Sequence, residues 1–365
     1  GKIIGITGSV GKTSVKENLY YFLSKSYNVS ASIKSYNNFL GVLITLLNLD
    51  LLSDFSIFEM GTNDFLEIKT LTKIVKPDQT IITNIHSAHL AKLINTKNIA
   101  KEKSDIFNKE FNPFVNLVVI PNNNIDEEFI LKRAINQKIS SIITFGSKPK
   151  SDLMLSDIEN IDDFFCKVIV IFKQKKINFI INKNQFIRIN NILICLVIFL
   201  YNKINLNLFT SFTKYVPLIE GRGLNSEVIF NNKKLNFIDE SYNASPHTMK
   251  MTIDYFSDIK LKNNQKKILI LGEMKELGSK ESELHIDLLK YVSKKKLEHV
   301  IICGKLMKIA LEKTKDNKIL YIMNRNLILK HIESIANEND FILVKGSNSS
   351  LTNVLAKVIL NKGDF

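Results

Sequence analysis

Along this chain, short apolar runs alternate with polar, glycine-containing turns and with stretches whose apolar residues recur at helical spacing. Lys2–Thr7, Phe55–Met60, Gln79–Ile85, Leu117–Ile120 and Ser141–Phe145 read as strands, and Thr13–Lys25, Leu66–Val75 and Thr96–Asn108 as helices. Strand and helix taking turns predict an α/β sheet, largely parallel. Phe165–Phe172 and Lys176–Ile181, separated by a lysine-rich turn, predict an antiparallel hairpin appended to that sheet. The longest apolar run, Ile192–Tyr201, falls short of the roughly 20 residues of a membrane span and predicts a buried helix instead. Lys214–Asn225, with Pro217, Gly221 and Gly223, reads as a domain junction that divides the chain into residues 1–217 and 218–365. Beyond it, Leu235–Asp239, Lys267–Leu271, Val300–Cys303, Ile319–Met323 and Phe341–Lys345 read as strands of a second α/β unit. One of its helices is capped by Ser245 with Pro246 at the first position.

Two domains also suit a chain of 365 residues, longer than one hydrophobic core usually covers. The formal charge of +14 raises the question of a nucleic-acid or membrane partner. The lysines, however, are scattered among asparagine and isoleucine instead of gathering on one face with interleaved aromatics, so the charge reflects biased residue usage and no nucleic-acid partner is expected. Arginine occurs only at Arg133, Arg188, Arg222 and Arg325. Cys166, Cys195 and Cys303 are odd in number and far apart, which points to neither a disulfide framework nor a metal knuckle and fits a reduced, cytoplasmic setting. The chain opens on a strand with no secretory signal and no initiating methionine, so a segment ahead of Gly1 is expected.

Chemistry enters at the end of the first strand. Gly8, Ser9, Val10, Gly11, Lys12, Thr13 and Ser14 place a glycine loop between a strand and an amphipathic helix, with Val15, Leu19, Phe22 and Leu23 on one helix face. Such a loop cradles phosphate: glycines admit close backbone approach, helix N-terminal amides face the anion, Lys12 supplies a cation and Thr13 a hydroxyl for Mg²⁺. The spacing departs from the standard motif, since Ile6 stands where its first glycine would be. Ligands of open α/β sheets sit at the carboxyl ends of strands, where Glu59 and Asn84 also fall. Glu59 there is either a Mg²⁺ ligand or a solvated acid. A zinc pair of His86 and His89 finds no further ligand nearby. Lys103 lies on the apolar stripe of Ile99, Ala100, Ile106 and Phe107. It either snorkels, or stays neutral by burial and reacts with CO₂ to give a carbamate suited to Mg²⁺. Arg222, between two glycines, is either a phosphate-binding fork or a hinge residue. Asp239 and Glu240 follow a strand, where either carboxylate can meet a nucleotide or merely solvate a loop.

Taken together, Thr7-Gly-Ser-Val-Gly-Lys-Thr13, Tyr36-Asn-Asn-Phe-Leu-Gly-Val42, Phe58-Glu-Met-Gly61, Thr83-Asn-Ile-His-Ser-Ala-His-Leu90, Gly221-Arg-Gly223, Asp239-Glu-Ser-Tyr-Asn-Ala-Ser-Pro246 and Leu271-Gly-Glu-Met-Lys-Glu-Leu-Gly278 resemble the Mur ligase family from Lys2 to about Val358. The resemblance implies a central P-loop ATPase domain over residues 1–217 and a Rossmann-like C-terminal domain over 218–365. It also implies an ATP-dependent peptide ligase of peptidoglycan synthesis, of the branch that joins D-alanyl-D-alanine to a UDP-MurNAc-tripeptide through an acyl phosphate. By the same match, Lys12 and Thr13 handle the γ-phosphate and a first Mg²⁺, and Glu59 ligates that ion. His89 and a carbamoylated Lys103 serve a second Mg²⁺, Asn191 lies on the adenine side, and Arg222 reaches the phosphates from the other domain, which is expected to close on them; beside these, Glu240 is kept as a candidate nucleotide contact. A monomer without a membrane span is implied. The chain departs from the family in lacking its N-terminal UDP-binding domain, in Ser347-Asn348 where an arginine commonly follows the serine, and in Leu43 where proline is usual. Another amino acid ligase of the superfamily, or a catalytically idle nucleotide-binding fragment, stands as the alternative.

Overall fold

Buried strands and amphipathic helices assemble two units, Gly1–Pro217 and Leu218–Phe365. The computed structural model describes residues 1–86, 90–122, 125–262 and 264–361.

Among the described residues, the first unit holds nine strands: β1 (Lys2–Thr7), β2 (Val29–Ala31), β3 (Phe55–Glu59), β4 (Gln79–Ile82), β5 (Leu117–Pro121), β6 (Ser141–Gly146), β7 (Leu153–Asn160), β8 (Phe165–Phe172) and β9 (Lys175–Asn182). They form one sheet in the order β2-β3-β1-β4-β5-β6-β7-β8-β9. Pairing is parallel from β2 to β7 and antiparallel between β7, β8 and β9. The helices are α1 (Lys12–Leu23), α2 (Phe39–Leu47), α3 (Glu67–Val75), α4 (Leu90–Leu93), α5 (Thr96–Lys103), α6 (Ile125–Asn136), α7 (Ile189–Tyr201) and α8 (Leu206–Phe212). One face of the sheet buries Ile4, Ile6, Ile57 and Ile81 with Leu19 and Phe22 of α1 and with α7. The other face buries Phe58, Met60, Val118 and Ile120 with Ile68 and Leu71 of α3 and Ile99 of α5. A parallel sheet covered on both sides explains why its strands read as apolar runs.

Three local differences from the sequence reading have physical causes. β7 was not expected: its sequence is half polar and exposed, and it joins β6 at only two residue pairs, Phe145 with Leu153 and Gly146 with Met154. The helix read as Thr96–Asn108 ends at Lys103 and tightens into a 3-10 turn, Ser104–Phe107. There the Arg133 guanidinium donates to Lys101 O at 2.8 Å and to Asp105 Oδ1 at 3.0 Å, taking up groups at the helix end. The helical stretch containing α7 begins earlier than the apolar run suggests; Lys183–Tyr201 is long and apolar enough by composition to cross a bilayer. Every residue from Ile192 to Phe199 is nevertheless 0% exposed, as in the core helix expected.

The second unit orders its strands β10 (Leu224–Phe230), β11 (Lys233–Glu240), β12 (Lys267–Leu271), β13 (His299–Ile302), β14 (Ile319–Tyr321) and β15 (Phe341–Lys345) as β10-β11-β15-β12-β13-β14. All pairs are parallel except β10 with β11. Helices α9 (Pro246–Asp258), α10 (Glu281–Val292), α11 (Lys305–Thr314), α12 (Arg325–Ile335) and α13 (Leu351–Asn361) connect them. β10 starts inside the segment read as a junction, and Asn231 and Asn232, both at positive φ, turn it into β11. Ser245 and Thr248 form a reciprocal capping box at the start of α9.

Candidate functional site

In the order β3-β1-β4, the carboxyl ends of three adjacent strands deliver the chemistry that the sequence singled out. β1 ends in the glycine loop, β3 ends at Glu59, which stands in register with Ile6, and β4 leads into Thr83 and Asn84. The loop is tied to the latter pair: Asn84 Oδ1 accepts from Val10 N at 2.9 Å, Asn84 O accepts from Ser9 N at 3.1 Å, and Thr83 Oγ1 donates to Val10 O at 2.5 Å. Ser9 Oγ exchanges hydrogen bonds of 3.0 Å with the backbone of His86. Gly11, at φ +85°, precedes α1, and no side chain caps that helix. A Cβ on Gly11 would stand 2.9 Å from Asn191 Oδ1, so glycine is needed both for the left-handed turn and for the approach of Asn191. The result is a backbone nest at a helix N-terminus, an anion site by construction. Lys12 folds back over it, donating to Gly8 O at 2.8 Å.

Thr13 and Glu59 are reached by a segment that sequence reasoning did not assign, the loop between β2 and α2. Ser35 Oγ lies 3.1 Å from Thr13 Oγ1, and Asn37 Nδ2 donates to Glu59 Oε1 at 2.8 Å. The signal for this was present in the Tyr36-Asn37-Asn38 stretch, but a polar loop carries no periodicity to announce its partner. Glu59 is 1% exposed, and its other oxygen, Oε2, has no hydrogen-bond partner.

Lys103 is fully buried, and its Nζ likewise has no hydrogen-bond partner. Burial pushes its amine well below the usual lysine range, helped by repulsion from Lys12 and opposed by Glu102 and Glu67. The influence of Lys12 sets the two amines in one neighbourhood. Glu102, next to it on α5, accepts from Leu66 N at 2.8 Å and Ile68 N at 2.9 Å and so caps α3. Burial raises the Glu102 carboxyl. His89 lies outside the described residues.

Among the described residues no three His, Cys, Asp or Glu side chains cluster as a ready-made metal site. A hard cation wants oxygen donors, and two are in place beside the phosphate loop: the Thr13 hydroxyl and the unpaired Glu59 Oε2. An unpaired amine at Lys103 is no Mg²⁺ ligand itself, yet burial favours its neutral form, and that is the form CO₂ converts to a carboxylate-like group. The donor set fits the ion.

In the second unit, Arg222 is presented by a built turn. Asp239, 1% exposed, accepts from Gly221 N at 2.7 Å and Ser241 N at 3.0 Å through its carboxylate, while its backbone oxygen accepts from Gly223 N at 2.7 Å. The Arg222 guanidinium stands 4.1 Å from the centroid of the Tyr242 ring. Gly221 is at φ +69°, and a Cβ there would come within 2.7 Å of Tyr242 Cβ. Of the two acids read as alternatives, Asp239 is thus committed to the turn. Glu240 is the one whose carboxylate lies 3.5 Å from the buried Lys345 amine, which also donates to Asn243 O at 3.1 Å. The loop after β12 is held by His285, 0% exposed, whose Nε2 accepts from Met274 N at 3.0 Å and whose Nδ1 lies 2.6 Å from Glu281 O.

Comparison with known proteins joins these features. The Mur ligase middle domain matches residues 6–199, and the domain described as "Mur ligase, glutamate ligase domain" matches residues 226–348. The UDP-N-acetylmuramoyl-tripeptide--D-alanyl-D-alanine ligase of Rickettsia prowazekii is 32% identical over 359 residues, 95% of this chain and 75% of that protein. The Bacillus subtilis enzyme of the same name is 26% identical over 365 residues, 98% of this chain and 76% of its own. A crystal structure of MurF from Acinetobacter baumannii superposes with a TM-score of 0.84 at 24% identity, covering 99% of this chain and 77% of that one. MurF ligase from Thermotoga maritima in complex with ADP does so with a TM-score of 0.83 at 22% identity, covering 100% and 80%. The matched domains and the 32% identity to the Rickettsia protein over 95% of this chain show that the chain belongs to the Mur ligase family.

Proposed function

We propose that this chain is an ATP-dependent ligase that joins D-alanyl-D-alanine to a UDP-MurNAc-tripeptide in the cytoplasmic stage of peptidoglycan synthesis. Residues 1–217 serve as its central ATP-binding domain and 218–365 as its C-terminal domain. The observation that carries the reading is the pair of buried, unpartnered polar atoms, Glu59 Oε2 and Lys103 Nζ, in the unit that holds the phosphate loop. Unsatisfied buried polar groups cost free energy and persist where a site needs them.

The reaction requires a substrate carboxylate to attack the γ-phosphorus of ATP, giving an acyl phosphate and ADP. The dipeptide amine then attacks the acyl carbon and phosphate leaves as the amide forms. Both steps gather negative charge, and the protein's work is to hold and offset it. Backbone amides of Gly11 to Ser14, in the loop shaped by Gly8, Ser9 and Val10, and the Lys12 amine receive the β- and γ-phosphates. Asn191, beside Gly11, orients the nucleotide on its base side, and Glu240 meets the nucleotide. Arg222, over the ring of Tyr242, offers a two-pronged donor to phosphate oxygens. Thr13 and Glu59 would hold one Mg²⁺, and His89 with a carbamoylated Lys103 a second; bound there, the ions supply charge neutralisation and fix the phosphates.

The test is release of phosphate by the 365-residue chain, given ATP, Mg²⁺, UDP-MurNAc-tripeptide and D-Ala-D-Ala, alone and fused to the N-terminal domain of a relative. Release that depends on the dipeptide is expected. Release supported by a single amino acid instead would assign another ligase of the superfamily, and ATP binding without release in either form would identify an idle nucleotide-binding protein.

A further inference from the structure

Lys16 plays no part in the chemistry above, yet it is one of the largest fully buried side chains of the protein. Its amine, on the second turn's face of α1, donates to Ser32 O at 2.5 Å and to Lys34 O, and it pairs with Glu17 Oε1 at 2.8 Å. A buried ammonium costs several kcal/mol unless fully engaged, and packing alone is served equally well by methionine. The charge is therefore there for what it holds. What it holds is the backbone of the segment between β2 and α2, where Lys34 adopts a left-handed conformation (φ +49°) that a non-glycine residue keeps only under constraint. Ser32 Oγ in turn accepts from Glu59 N at 3.1 Å, Asn37 O accepts from Gly61 N at 2.8 Å, and Ser35 and Asn37 reach Thr13 and Glu59.

We propose that Lys16 is a positioning residue of the nucleotide site: its amine clamps the 32–38 segment onto α1, so that Ser35 and Asn37 orient the Thr13 hydroxyl and the Glu59 carboxylate. The proposal rests on the reading of those two groups as Mg²⁺–nucleotide ligands. It is a link from the phosphate-loop helix to the metal side of the site that bypasses the loop itself. Lys16→Met removes the donor at equal bulk, and Lys16→Gln keeps two N–H donors without a buried charge.

Two readouts decide it on the full chain. Hydrogen exchange at the Glu59 and Gly61 amides, both bonded to the clamped segment, is expected to speed up at least tenfold in Lys16→Met and less in Lys16→Gln. Affinity for a fluorescent ATP analogue is expected to fall at least tenfold with Mg²⁺ present and less than threefold without it, because the phosphate nest is left intact. Wild-type exchange at both amides in either folded variant overturns the clamp. Equal losses with and without Mg²⁺ overturn the positioning role in favour of damage to the loop, and collapse of both variants overturns it in favour of a purely structural lysine. Absence of Mg²⁺-dependent nucleotide binding in the wild type would count against the functional reading, while the exchange measurement would still judge Lys16.

Discussion

Replacing Lys103 by methionine should stabilise the protein while abolishing its activity. The buried amine has no hydrogen-bond partner, and a polar group in that condition costs about 1–3 kcal/mol relative to an apolar one of similar volume. Methionine matches the stem of lysine closely enough that little packing is lost. A gain of about 2 kcal/mol near pH 7 follows, which in a unit of this size raises the thermal midpoint by about 4–8 °C. The pH dependence has a fixed sign. Burial lowers the folded amine well below its ordinary value of 10.5, so below 10.5 the unfolded chain binds a proton that the folded chain refuses. Wild-type stability therefore falls as pH drops from about 10.5 toward the folded value, and the advantage of methionine shrinks as pH is raised from 7 to 10. Thermal melts of both proteins in CO₂-depleted buffer without nucleotide measure this directly, and turnover of ATP with both substrates gives the other half. Added bicarbonate with Mg²⁺ should raise the wild-type midpoint and leave the variant unmoved. A methionine variant that melts below the wild type would refute the unpaired amine, and one that keeps full turnover would refute the carbamate.

Lys12→Ala should lower turnover on the order of 10²–10³ while circular-dichroism melts stay within about 0.5 kcal/mol of wild type, since the side chain is half-buried and its amine donates to Gly8 O of the loop it serves. Arg222→Lys should reduce kcat more than ATP affinity, because the charge survives and the planar fork does not; Tyr242→Ala should follow it through loss of the ring beneath the guanidinium, and Tyr242→Phe should not. His285 is held neutral, its pKa lowered first by burial, with Nε2 accepting from Met274 N. Its contribution to stability is present above the ordinary histidine value of 6.5 and is lost as pH falls below it, by at most about 1.4 kcal/mol per pH unit. Denaturant melts from pH 7 to pH 5 should thus show a flatter loss in His285→Gln than in the wild type, and parallel slopes would mean that His285 titrates freely.

What was legible in the sequence, and what was not, divides along a physical line. Strands such as β1, β3 and β12 are buried on both faces, so their side chains alone record their state, and Glu59 at the tip of β3 could be placed from its neighbours Phe55 and Ile57. The inward lysine was legible for the same reason: Ile99, Ala100, Ile106 and Phe107 define a buried stripe, and all four prove to be 0% exposed, as is Lys103. β7 and β10 are partly solvated, and their polar residues imitate loops. The site itself was only half legible. Residues that meet phosphate or metal are recruited by chemical type and sit in recognisable strings, whereas residues that hold those groups act through carbonyls and amides and leave no type-specific trace. Asp239 illustrates this: beside Glu240 it looks like an equal candidate for ligand chemistry, and only the hydrogen bonds from Gly221, Ser241 and Gly223 show that its charge is consumed in shaping the turn beneath Arg222. Lys16 is the same case one helix turn from Lys12. Two lysines four residues apart are indistinguishable by composition, yet one closes over the phosphate nest and the other disappears into the protein to grip the opposite side of the site.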